Sequence, residues 1–243
     1  MKNILMGVSY LGTNYAGWQK QDNALGIQEL IEDALKEVCN HNVEIFASGR
    51  TDAGVHAYEQ CFNCEINFEN VNKLPLALNS KLPNDIRVLW AKEVDKNFHA
   101  RYSAHKKTYI YRVKVDSIES PFDEQTTTYI TYNLDYNKMK TASEFLVGEH
   151  DFRAFCSSGT SVTDFVRTIY FLNIKQTQNL FEFEICGSGF LYNMVRIIVG
   201  TLVDVGRGKI SPVTISDILE SKSRQGAGKT MPAKGLILKN VEY

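Results

Sequence analysis

The stretch ASGRTDAGVHA, residues 47–57, sets an arginine, a threonine and an aspartate between two glycines, with a histidine four positions after the acid. Strand-like runs lie on either side, so Gly49 and Gly54 are expected to let the backbone turn sharply and leave Asp52 projecting from an anchored rim. An aspartate in a loop ordinarily caps its own turn. Its neighbours argue for more. Arg50 brings a fixed positive charge near the carboxylate and favours its ionised form, and His56 adds a second polar group in a stretch hemmed by apolar strands. No second loop carboxylate of similar setting is present to make the acid–base pair of ordinary glycoside hydrolysis. A lone ionised carboxylate beside an arginine suits a nucleophile or an electrostatic stabiliser better than a general acid.

Other residues invite the same question. Arg196 stands in a helix of otherwise apolar residues, Leu191, Met194, Val195, Ile197, Ile198 and Val199. A buried guanidinium is costly without an acid, and Asp52 is the expected partner; the alternative is an arginine at the rim that reaches water. TYIYR puts Tyr109 and Tyr111 on one face of a strand, where half-buried packing is the common role. Cys61 and Cys64 form a lone C-x-x-C, whereas zinc would need further ligands. CFNCEINF alternates like a strand, which points the two thiols to opposite faces and makes them structural. No metal site is expected, and no glycine motif for a nucleotide cofactor follows a strand.

The elements that must position these residues follow from periodicity. Strands are expected at 3–10, 43–47, 58–68 and 86–94, with helices at about 25–40 and 74–80. A second set comprises strands at 108–115, 126–132, 168–176 and 181–187, helices near 136–147, 191–205 and 213–221, and a last strand, GLILKNVEY. The order is similar in the two sets, which implies an α+β protein of two sheet-and-helix halves, 1–103 and 104–243. The loop 156–164 and the stretch SKSRQGAGKT (221–230) are expected to be the most mobile.

A net charge of −1 conceals segregation along the chain. Residues 81–115 hold nine Lys/Arg against three acids, a local +6; residues 116–151 hold eight acids against two lysines, −6; residues 196–239 hold eight basic against three acidic, +5. A protein with one phosphate-facing surface has this distribution. Five cysteines, an odd number in a chain of 243 residues, fit a reducing cytoplasm. No apolar run reaches the roughly 18 residues of a membrane span, and MKNILMGVSYLG reads as a first strand with no sign of export.

SGRTDAGVHA resembles the signature of the TruA-type tRNA pseudouridine synthases. YLGTNYAGWQKQ (10–21), FHARYSAHKKTYIYRV (98–113), GFLYNMVRIIVGTLVDVGRGK (189–209) and MPAKGLILKNVEY (231–243) resemble further blocks of that family, in order and along the whole chain. Two departures are Met231 before Pro232, where alanine is commoner, and Thr108, where a basic residue is often found. The resemblance implies the pseudouridine synthase fold, two similar halves each with a largely antiparallel sheet and packed helices and an active-site cleft between them. It implies isomerisation of uridine to pseudouridine in the anticodon stem-loop (positions 38, 39 and 40) of tRNA, by a homodimer and without a cofactor. By the same resemblance Asp52 is the catalytic nucleophile, attacking ribose C1′ or uracil C6, and Tyr109, preferred over Tyr111, stacks on the extruded base. Arg196 orients Asp52, and Arg50 enters the place the base leaves. Arg101, Lys106, Lys107 and Arg207 are the expected phosphate contacts. Two other readings compete: a tRNA-binding or folding module without catalysis, and a uridine-specific RNA glycosylase.

Overall fold

The computed structural model describes residues 1–159 and 162–243, and the chain divides into two compact units, 1–105 with 237–243, and 106–236. The expected division at 103/104 assigned the last strand to the second half; Ile237–Tyr243 instead clusters with the first unit.

In the first unit β1 (Lys2–Tyr10) is followed by α1 (Ile27–Cys39), β2 (Phe46–Ala47), β3 (His56–Ile66), α2 (Leu74–Asn79) and β4 (Ile86–Glu93). β1 lies between β3 and β4, antiparallel to both. A strand with neighbours on both edges and cover on both faces reads as a continuous apolar run, as NILMGV does. The C-terminal strand, Leu236–Glu242, joins β3 in parallel, Ile237 opposite His56. α1 turns Ile27, Ile31, Ala34 and Leu35 inward at the helical period. The expected strand 43–47 shrinks to Phe46–Ala47, and β3 begins at His56, two residues before the expected start.

The second unit holds β5 (Lys106–Val115), β6 (Thr128–Ile130), α3 (Tyr136–Glu144), β7 (Gly148–Asp151), β8 (Val166–Thr177), β9 (Leu180–Gly187), α4 (Met194–Gly206) and α5 (Thr214–Ser221). The order β5-β9-β8-β7 is antiparallel throughout, and β6 runs parallel to β5. β7, GEHD, is a short polar edge strand that periodicity does not reveal. α4 is apolar on nearly every face because it is buried on nearly every face. It begins at Met194, three residues after the expected start, because Asn193 takes a left-handed backbone (φ 61°). Of the loop 156–164, Thr160 and Ser161 lie outside the described residues. The stretch 221–230 is anchored: Gly228 N–H donates to Thr201 Oγ1 at 2.9 Å, and a Cβ on Gly200 would stand 1.9 Å from the Lys229 carbonyl oxygen.

A buried amide pair holds the segment after β4. Asn3 Nδ2 donates to the carbonyls of Asp95 and Phe98, both at 2.9 Å, and Asn3 Oδ1 accepts from Asn63 Nδ2 at 2.9 Å. Asn63 Oδ1 in turn accepts the Ala100 N–H at 2.8 Å. These bonds clamp FHAR (98–101) to β1 and β3. Asn63→Ala strands the Ala100 N–H and Asn3 Oδ1, and is expected to cost about 1–3 kcal/mol, read as a lower thermal midpoint; an unchanged midpoint would mean that the clamp contributes nothing.

Candidate active site

Asp52 sits in a loop without regular structure, partly exposed, between buried Thr51 and buried Val55. The loop closes on itself through the Val55 N–H, which donates to the Asp52 carbonyl at 3.1 Å. Gly54 supplies the left-handed backbone, φ 76°; Gly49, expected to share this role, is not among the positive-φ residues. The bend therefore depends on Gly54.

The segment 10–18 cradles this loop. Trp18 N–H donates to the Thr51 carbonyl at 3.0 Å, Gly54 N–H to the Tyr15 carbonyl at 3.3 Å, and Tyr10 Oη and Thr51 Oγ1 share a hydrogen bond of 2.8 Å. The approach is closer than a side chain permits. A Cβ on Gly12 would stand 2.0 Å from the Val55 carbonyl oxygen, and one on Gly17, itself at φ 97°, 2.5 Å from that of Thr51. Trp18, buried between the rings of Tyr10 and Phe62 at 6.0 and 6.1 Å, anchors the cradle. From behind, buried Ser48 Oγ donates to Gln60 Oε1, and Gln60 Nε2 donates to the Gly49 carbonyl at 2.9 Å.

His56 belongs to the same scaffold. It is buried, and its Nδ1 accepts the Gly12 N–H at 2.9 Å, which puts the proton of the neutral ring on Nε2. Cys61 and Cys64 are buried in β3, and burial pushes each thiol up to about 12, leaving both protonated at neutral pH. Arg50 is exposed two residues before Asp52.

In the second unit the two tyrosines of TYIYR separate. Tyr111 is fully buried, its hydroxyl bonded to Thr128 Oγ1 at 2.7 Å and to the Pro232 carbonyl at 2.6 Å; burial, offset in part by Thr128 and Arg196, holds it far above the ordinary tyrosine range. Tyr109 remains partly exposed, edge-on to Phe190 with ring centroids 5.2 Å apart. Thr108 is buried opposite Cys186, away from any surface where a phosphate could lie. Arg196, partly exposed on the first turn of α4, donates from Nε to the Met231 carbonyl and from Nη1 to Asn193 Oδ1, both at 2.7 Å. The Met231 N–H returns a bond of 3.2 Å to the Arg196 carbonyl.

The basic surface is thinner than the sequence count. Of the nine cations of 81–115, Lys81, Arg112 and Lys114 are paired with Glu37, Glu182 and Asp123. Of the eight in 196–239, Arg207 and Lys209 face Asp204, Lys222 faces Asp151 and Lys234 faces Glu119. Arg207 also lies 3.7 Å over the Tyr132 ring. Arg101 and Lys106 are exposed and Lys107 is half-buried. Arg50, Asp52 and Arg101 thus belong to the first unit, and Lys106, Lys107, Tyr109, Arg196 and Arg207 to the second. Sequence reasoning noted YLGTNYAGWQKQ only as a block of resemblance and gave no role to Tyr10, Gly12, Gly17 and Trp18, whose spacing carries the cradle.

An α+β scaffold thus grips one aspartate-bearing loop by backbone contact. Residues 6–103 and 142–243 match the family model for tRNA pseudouridine synthase. The protein called tRNA pseudouridine synthase A in Thermoanaerobacter sp. (strain X514) is 46% identical over 244 residues, covering 100% of both chains. That of Clostridium kluyveri is 44% identical over 248 residues, again 100% of both, and that of Bacillus pumilus 45% over 239 residues, 97% of each. This chain belongs to the tRNA pseudouridine synthase family, and it is an isomerase that converts uridine to pseudouridine in tRNA.

Gly17→Ala tests the cradle. The clash with the Thr51 carbonyl is expected to move Asp52 and lower turnover by about 10²-fold, the cost of a displacement near 1 Å. Gly208→Ala, at a similar φ of 75° but with nothing within 4 Å, carries comparable backbone strain and leaves turnover intact. Equal turnover in the two variants, measured at saturating tRNA, would sever the link between cradle and catalysis.

Proposed function

We propose that this protein isomerises uridines 38, 39 and 40 in the anticodon stem-loop of tRNA, with Asp52 as the nucleophile. The mounting of Asp52 carries this reading. Its loop is pinned by Trp18, Tyr15 and Tyr10 while its side chain stays partly exposed, which suits a group that must meet a substrate in one orientation. In the reaction the bond between C1′ and N1 breaks and one between C1′ and C5 forms; C5 gives up a proton and N1 gains one. Atoms and electrons balance with no redox partner. Asp52 attacks ribose C1′ or uracil C6 to loosen the glycosidic bond.

The uridine must first leave its stem, at a cost of roughly a few kcal/mol. Arg50, exposed beside Asp52, is assigned to the vacated position. Tyr109 is assigned to stacking on the extruded uracil and to removal of the C5 proton. The burial of Tyr111 supports this choice, since its hydroxyl is committed to Thr128 and Pro232. Arg196 is assigned to orienting the reacting carboxylate, and its rigid hold by Met231 and Asn193 supports that part. Arg101, Lys106, Lys107 and Arg207 are assigned to phosphates, read mostly by shape and backbone. The family resemblance supports a homodimer acting in the cytoplasm, with tRNA lying across both subunits.

The test is incubation with tRNA carrying uridine tritiated at C5, followed by mapping of modified positions. The expected outcome is tritium released to water, pseudouridine at positions 38–40, and no free uracil. Free base would mean a glycosylase, and modification confined to other positions would refute the anticodon assignment.

A further inference from the structure

The first unit bears a run of aromatic side chains that the chemistry above leaves unused. Phe46 of β2 faces the His99 ring at a centroid distance of 5.2 Å, and His99 faces Tyr102 at 4.4 Å, the planes tilted by 44° and 41°. Phe46 is 38% exposed and Tyr102 76% exposed. Rings that meet one another while staying open to water form a platform rather than a core, and such an exposed patch marks a contact surface. The platform is also held still. The FHAR segment is fixed by the Asn3–Asn63 clamp, the Ser103 N–H donates to the His99 carbonyl at 2.9 Å, and the His99 N–H donates to Ser103 Oγ at 3.3 Å. The Arg101 N–H donates to His99 Nδ1 at 3.1 Å, so the neutral ring carries its proton on Nε2.

Charge selects the kind of partner. Arg101 is exposed, with its guanidinium 5.8 Å over the Tyr102 ring. Residues 96–107 contain Lys96, Arg101, Lys106 and Lys107 and no acid. Aromatic faces interleaved with cations match the alternation of base and phosphate in an unpaired nucleic-acid strand. Phe46 lies six residues before Asp52, so the chain between them spans at most about 20 Å. A base taken here belongs to the same arm of the RNA that offers the target uridine.

We propose that Phe46, His99 and Tyr102, with Arg101 beside them, form a stacking site for an unpaired base in the loop of the substrate tRNA, distinct from the uridine that is isomerised. The site rests on the reading that this chain acts on a tRNA stem-loop, and it supplies affinity rather than chemistry.

The test compares two fluorescently labelled RNAs, a hairpin with a seven-nucleotide loop and a blunt duplex of the same stem, against the full-length protein. Tyr102→Ala and Phe46→Ala are each expected to weaken hairpin binding by about 5- to 100-fold and to leave duplex binding unchanged, the range for loss of one base–aromatic stack. Tyr102→Phe restores the hairpin affinity because it keeps the ring. The thermal midpoint of Tyr102→Ala is unchanged. Unaltered hairpin affinity in both alanine variants would overturn the proposal, as would equal losses for hairpin and duplex. The readout is binding, so failure of the platform and failure of pseudouridine formation by the wild type are separate results.

Discussion

Two glycines let the segment 10–18 lie against the loop of Asp52 at distances that any side chain would forbid, 2.0 Å for a Cβ on Gly12 and 2.5 Å for one on Gly17. The hydrogen bonds that hold the loop follow from that contact. With the backbones so close, the Trp18 N–H reaches the Thr51 carbonyl, the Gly54 N–H reaches the Tyr15 carbonyl, and Tyr10 meets Thr51 through their hydroxyls. The loop becomes part of the scaffold, although it has no regular structure. A carboxylate mounted this way pays little reorganisation when charge develops beside it, the condition under which fixed electrostatics lowers a barrier.

The second unit solves a similar problem by similar means. Gly200 of α4 admits the Lys229 carbonyl, and residues 228–231 run along the helix as a result. Met231 then bonds to Arg196 twice, once through each backbone group, and Asn193 takes a third bond. A long flexible cation is thereby held to one geometry by neutral acceptors that leave its charge intact. Tyr109 and Tyr111 repeat the contrast on one strand face: the hydroxyl of one is tied into the interior, while the other ring stays within reach of solvent.

Much of this was legible in the sequence, and the exceptions have physical causes. Period-2 and period-3.6 patterns place α1, β3, β8, β9 and α4 because each buries a face or a whole surface. β7 escapes because GEHD has no apolar face to alternate, and the start of α4 moves because Asn193 turns left-handed, which no pattern of hydrophobicity encodes. The sharp bend at Asp52 was legible through Gly54, whereas Gly49 supplies no left-handed backbone. The structural role of His56 was not legible, since nothing local reveals that its ring nitrogen holds the Gly12 amide, 44 residues away in sequence. Charge counting overstated the phosphate-facing surface for the same reason: Lys81 meets Glu37, and Lys234 meets Glu119, only in three dimensions.

The central claim is that the Asp52 carboxylate performs the chemistry while the rest of the protein holds it and the RNA. Single-turnover conversion of tRNA by Asp52→Ala, with tRNA affinity measured on the same preparation, addresses this most directly. The account predicts that pseudouridine formation falls by at least about 10³-fold, as for loss of a covalent nucleophile, with affinity retained. Conversion at the wild-type rate would contradict it, because a side chain that can be deleted without loss does not attack the substrate.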